Sequence, residues 1–324
     1  MDISQILEPI RQDLALVEAR LRQPPPREYD LLTAATQHLL SSGGKRIRPA
    51  LAILANRLYT DNSEKIIALA AAVEMLHTAT LVHDDVVDNA FLRRGAPTLN
   101  AQWTPAATIL TGDYLFARAA ELAAQTDNAH VLDIFARTLM TICSGELRQH
   151  FRKNQPVYTW QDYYERIEAK TAALFSCTAE ASGVLAGAAE NEVQALHDYG
   201  HNLGIAFQIV DDVLDFESDK TTLGKPVGSD LAQGLVTLPV LYYLEQQPHD
   251  NPVGDLLNQA EQQRSPQAIA QAVEAIRQSN AIRLSLVKAG DFVKHSQEKL
   301  KALPDRPARQ TLHDLAQFAI QRQL

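Results

Sequence analysis

Apolar residues recur at three- and four-residue spacing through nearly the whole chain, and no apolar–polar alternation survives for more than a few residues. That property confines the fold to packed helices, because a half-buried sheet needs a period of two. Composition agrees: the 324 residues are 46% hydrophobic and 21% charged, with only 14 Gly and 15 Pro, and long stretches combine Ala, Leu, Gln and Glu. An all-α fold is expected, as one domain over residues 1–324 with a substantial core.

Residues 3–22 read as one amphipathic helix stopped by Pro24-Pro25-Pro26, so 1–27 is an N-terminal helix and linker within that domain. Asp61 and Glu64 have the spacing of a capping pair and open a long helix through Ile66, Ala70, Val73, His77 and Leu81, past Asp84. Gly43-Gly44, Gly95 to Pro97 and the polar stretch Glu217 to Asp230 are loops, and Gly224, Pro226 and Gly228 suit the last of these to a mobile lid. Cys143 and Cys177 lack metal-ligand spacing and are expected as buried free thiols. The first residues lack the basic start and apolar core of a signal peptide, and no apolar run reads as long enough to span a bilayer, so a cytoplasmic location is expected. A formal net charge of -9 argues against nucleic acid as a partner. It leaves room for an anionic substrate held by local cations or metal ions.

Two segments echo one another: Leu81-Val82-His83-Asp84-Asp85-Val86-Val87-Asp88 and Gln208-Ile209-Val210-Asp211-Asp212-Val213-Leu214-Asp215. In each, the first and last carboxylates lie four residues apart on one helix face, with the middle Asp turned by about 100°. A solvated acidic face is the ordinary reading of one such cluster. Here apolar residues surround both, and acidic groups in apolar helices need compensation. Clustered carboxylate oxygens are hard ligands suited to Mg²⁺, which also takes substrate phosphate oxygens. Two clusters could therefore clamp a diphosphate.

Cations stand where a second anion would need them. Gly43-Gly44-Lys45-Arg46-Ile47-Arg48-Pro49 places three after a glycine pair, and Arg93-Arg94-Gly95 follows the first cluster. His77 shares the stripe of Asp84 two turns earlier; a lone histidine there is more often a satisfied core residue, but the stripe favours a polar contact to substrate. Lys170-Thr171 and Gln208 would by themselves pass as helix surface.

Taken together, the run from Gly43 to Pro49, Asp84 to Asp88 with Arg93-Arg94-Gly95, Lys170-Thr171, Gln208 with Asp211 to Asp215, and Gly224-Lys225-Pro226 resemble the trans-polyprenyl diphosphate synthase family, in that family's order. The resemblance implies a single-domain isoprenoid synthase helical bundle, usually a homodimer, with the two acidic helices facing across a central cavity. It implies that Asp84, Asp85, Asp88, Asp211, Asp212 and Asp215 hold Mg²⁺, about three ions per active site, on the allylic diphosphate. Arg93, Lys170 and Lys225 would help there, with Thr171 and Gln208 beside them. Lys45, Arg48, His77 and Arg94 would hold isopentenyl diphosphate. The implied reaction is a head-to-tail condensation giving an all-trans polyprenyl diphosphate, a product that associates with membranes.

One position departs from the pattern. Many family members read Gly-Lys-x-Thr-Leu-Pro where this chain has Gly234-Leu235-Val236-Thr237-Leu238-Pro239, so Leu235 replaces a cation. This region and the tail from Leu303 to Arg309 look similar to the catalytic component of two-component heptaprenyl diphosphate synthases, which leaves a partner subunit open. The competing readings are a class I terpene cyclase, which would not need Lys45, Arg48 and Arg94, and a silent regulatory subunit, which could have lost its aspartates.

Product length is set, on the same resemblance, by what lies below Asp84. Ala79 and Thr80 are small, so the floor falls to Leu76 or to Phe135, fourteen residues before Gln149 on a facing helix. Fourteen residues span about 21 Å, which sets the expected product at about C25 to C40, with C20 as the alternative.

Overall fold

The computed structural model describes residues 2–24, 29–41, 43–61, 64–93, 95–152, 159–217 and 227–321. Helices account for nearly all of its regular structure, and the one sheet among the described residues is a two-stranded antiparallel hairpin, Leu92–Arg93 with Ala96–Pro97. The chain forms two compact units. The first comprises Met1–Thr138, Leu174–Gly200 and Lys299–Leu315; the second comprises Leu139–Ala173, His201–Glu298 and Ala316–Leu324.

At the centre of the first unit is the helix Glu64–Val87, in which every residue from Ile66 to Leu76 is buried. A helix apolar on all sides must be surrounded, and this one packs against Pro105–Ala124, Ile47–Arg57 and Arg11–Arg22. Contrary to the expectation that no run is long enough to span a bilayer, it has the length and apolarity to do so, with a mean hydropathy of 1.6 over its best window. In the fold 78% of that window is covered by protein.

The expected helix over 3–22 is broken into Ile3–Ile6, a 3-10 turn at Glu8–Ile10, and Arg11–Arg22. Pro9 lacks an N–H, and its ring would clash with the carbonyl four residues earlier. Arg57 secures the break by donating to the Pro9 carbonyl at 2.8 Å and pairing with Asp13 at 2.6 Å. The residues between Asp61 and Glu64 lie outside the described set, as does most of the expected lid.

The core of the second unit gathers Phe216, Val210, Val213, Leu238, Val253 and Ile276. Helix Trp160–Ile167 runs into a π-helical turn, Glu168–Ala172. Gly145 allows that turn close approach, since a Cβ there would sit 2.3 Å from the Ala169 methyl. The cysteines divide: Cys177 is buried as expected, its thiol pushed up to about 12 by burial, whereas Cys143 is exposed. An apolar neighbourhood in sequence did not fix which face of the helix Ala129–Arg152 meets solvent.

Candidate active site

The first acidic cluster closes the helix Glu64–Val87. Asp84 is half-buried, Asp85 is 4% exposed, and Asp88 is exposed just past the last turn, its N–H still donating to the Asp84 carbonyl at 2.8 Å. Asn89 then enters the left-handed region at φ 51° and ends the helix. The chain turns back through the hairpin, whose far end is tied down by the Thr98 hydroxyl on the Ala90 carbonyl at 2.8 Å. This return sets Arg93 Nε 2.8 Å from Asp85 Oδ1. Asp85 thus has a fixed cationic partner, and Arg94 lies outside the described residues.

In the same unit Lys45 is exposed, while the Arg48 guanidinium rests 4.7 Å above the ring of Phe175. His77 is half-buried and accepts the Thr80 hydroxyl at its carbonyl, 2.7 Å away. Of the residues expected to set product length, Leu76 and Ala79 have no accessible surface, Phe135 is 4% exposed, and Thr80 keeps part of its surface.

The second cluster belongs to the second unit, on the last turns of the helix Glu190–Glu217. Asp211 is half-buried, and Asp212 and Asp215 are buried. Three expected site residues form one chain of hydrogen bonds: Thr171 Oγ1 donates to Gln208 Oε1 at 2.5 Å, and Gln208 Nε2 donates to Asp212 Oδ1 at 2.8 Å. The other Asp212 oxygen accepts from the Tyr163 hydroxyl at 2.8 Å. Asp215 is held differently, accepting the Ser229 N–H and hydroxyl on Oδ1 and the Asp230 N–H on Oδ2, at 2.8 to 3.1 Å. Lys170 pairs with Glu146 at 2.9 Å, and Lys225 lies outside the described residues.

Burial dominates the electrostatics here. It pushes Asp212 up to about 7 against the attraction of Arg166, with Asp230 adding repulsion. Asp215 rises to about 6, again through burial and then Asp230. The donors hydrogen-bonded to both are uncharged, so a divalent cation would supply the charge compensation that burial removes. That is the fit of these residues to Mg²⁺. Among the described residues no three His, Cys, Asp or Glu side chains gather into a metal cage by themselves; Mg²⁺ commonly takes only one or two carboxylates and completes its shell with substrate phosphate and water oxygens.

Sequence reasoning missed Tyr163, Arg166, Glu146 and Phe175. One signal was available: Tyr163 precedes Lys170 by the same seven residues that separate His77 from Asp84. The π-helical turn that carries Lys170 and Thr171 has no periodicity signature, although such turns are frequent at functional sites. Near Leu235 the Arg264 guanidinium lies against Gly234 but is committed to the carbonyls of Leu256, Ala232 and Gln259.

Comparison with known proteins gives a consistent picture. Residues 29–276 match the family described as Polyprenyl synthetase. The chain is 40% identical over 312 residues to heptaprenyl diphosphate synthase component 2 of Geobacillus stearothermophilus, covering 95% of each. It is 36% identical over 324 residues to octaprenyl diphosphate synthase of Escherichia coli (strain K12), covering 99% of each. The crystal structure of polyprenyl synthase from Caulobacter crescentus CB15, complexed with calcium and isoprenyl diphosphate, matches with a TM-score of 0.90 at 37% identity, covering 100% of this chain and 98% of that one.

Proposed function

The chain belongs to the polyprenyl synthetase family, and from that premise we propose that it condenses isopentenyl diphosphate head to tail with an allylic diphosphate, giving an all-trans polyprenyl diphosphate of about C25 to C40. The observation that carries this reading is full-length similarity to the heptaprenyl and octaprenyl diphosphate synthases. Asp84, Asp85, Asp88, Asp211, Asp212 and Asp215 hold Mg²⁺, about three ions per site. When bound, the metal neutralises charge on the departing diphosphate. Thr171, Gln208 and Tyr163 orient Asp212; Arg93, Lys170 and Lys225 complete the allylic diphosphate site. Lys45, Arg48, His77 and Arg94 hold isopentenyl diphosphate so that its double bond meets the allylic cation, and the released diphosphate takes the surplus proton. On the same reading the protein is a cytoplasmic homodimer and its product partitions to membranes.

A second reading adds a partner subunit. It is favoured by Leu235 in place of a cation and by the word "component" in the name of the Geobacillus relative. The test for both is to incubate the purified chain with farnesyl diphosphate, isopentenyl diphosphate and Mg²⁺ and to size the products. Chains longer than about C20 support the first reading, and activity that appears only on adding a second subunit supports the other. No consumption of isopentenyl diphosphate under either condition overturns both.

The buried aspartates also predict how the metal-free protein responds to pH. A carboxyl at about 4 when unfolded and about 7 when folded folds with its proton on, so its stabilisation is full below the unfolded value and is lost as pH rises through the folded one. The melting temperature without metal should therefore be lower at about pH 8 than at about pH 6. Asp212→Asn should flatten that difference, and an unchanged slope in thermal melts would remove Asp212 as its source.

A further inference from the structure

The run Lys45-Arg46-Ile47-Arg48 carries three cations in four residues, and the structure sorts them. Arg46 is turned inward, its side chain 16% exposed, with Nε on Glu18 Oε1, Nη1 2.7 Å from Glu74 Oε1, and Nη2 donating to the Leu40 carbonyl at 3.3 Å. Its backbone sits at φ 49°, ψ 37°. This is the left-handed region, which a long side chain adopts only when its surroundings enforce it. Both carboxylates belong to helices of the same unit: Glu18 to Arg11–Arg22, and Glu74 to Glu64–Val87, eleven residues and three turns before Asp85. One guanidinium therefore ties the basic loop to the helix that carries the first acidic cluster.

We infer that Glu18, Arg46 and Glu74 form a positioning strut that aims Lys45 and Arg48 at the isopentenyl diphosphate, with Arg46 itself making no substrate contact. The inference rests on the functional reading above and assigns a role to residues that reading does not use. With two carboxylates on its fork, Arg46 has little positive charge left to offer a phosphate. Its fixed, left-handed backbone starts the helix Ile47–Arg57 and so sets the direction of the residues on either side, Lys45 before it and Arg48 in the first turn. Arg48 is steadied a second time by Phe175 beneath its guanidinium. A bidentate fork reaching two helices cannot be reproduced by an ammonium group.

The sign of one kinetic change separates a strut from a direct ligand. Glu74→Gln weakens the hold on Arg46. If Arg46 touched the diphosphate, freeing its charge would tighten isopentenyl diphosphate binding and lower that KM. In a strut the same change loosens Lys45 and Arg48 and raises that KM, by about tenfold, short of the roughly hundredfold that a full ångström of misplacement can cost. The KM for farnesyl diphosphate should stay within about twofold, because the change removes binding of one substrate only. Arg46→Lys and the milder Glu18→Gln, at the most exposed of the three side chains, should move the isopentenyl diphosphate KM the same way. Thermal melts would confirm that each variant is folded at the assay temperature. A lower or unchanged isopentenyl diphosphate KM in the folded variants, or equal rises for both substrates, overturns the strut. A wild-type protein that consumes no isopentenyl diphosphate, alone or with a second subunit, instead overturns the functional reading and the strut with it.

Discussion

Asp84→Ala and Asp211→Ala are each expected to lower kcat by about a hundredfold or more, since on the proposed function they would hold metal charge worth several kcal/mol to a departing diphosphate and each 1.4 kcal/mol is about tenfold. These two positions test the reading more directly than the three buried aspartates do. Both are half-buried, so removing the carboxylate disturbs little packing. By contrast, Asp85 holds Arg93, Asp212 receives Tyr163 and Gln208, and Asp215 anchors Ser229 and Asp230. Alanine at any of those three leaves buried or part-buried donors unsatisfied and confuses catalysis with stability. Turnover against Mg²⁺ concentration, with circular dichroism as the control for folding, is the measurement. Near-normal turnover in either variant at saturating metal would end the reading in which both clusters serve one diphosphate.

Thr80→Phe is expected to shorten the product to about C15 or C20, by placing a ring one turn before Asp84 where the chain would grow. Thr80 retains accessible surface, whereas Ala79 and Leu76 have none. Ala79→Phe must therefore displace packed neighbours first, and the overpacking should cost about 1–3 kcal/mol, visible as a lower melting temperature. Phe135→Ala would open the proposed floor and lengthen the product. It also leaves a cavity, at a cost of about 3–5 kcal/mol for a buried Phe. Chromatography of the extended products decides the matter. An unchanged product distribution in folded Thr80→Phe would show that the chain does not grow along this face.

Much of the molecule was legible before any coordinates, because its main signals are local. Helical periodicity required an all-helical fold, and the four-residue spacing of Asp211 with Asp215 placed the second cluster on one helix, whereas Asp88 falls just past the end of the helix that carries Asp84 and Asp85. The break at Pro9 had a local cause as well, which the reading of 3–22 as one helix overlooked: within a helix, a ring without an N–H removes a hydrogen bond and clashes with the preceding turn.

What tertiary structure alone decided is which of these groups are committed to one another, because burial and partnership depend on residues remote in the chain. Tyr163 reaches Asp212 across 49 positions, and Arg46 reaches Glu18 and Glu74 across 28 in either direction. No periodicity marks such pairs. The three cations after Gly44 are equivalent in sequence; only packing turns one inward between two carboxylates and lays another on Phe175. The three aspartates of each cluster are likewise equivalent until burial raises Asp212 to about 7. Charge is a property of the residue, but its availability is set by the dielectric and the partners around it, and those exist only once the chain has folded.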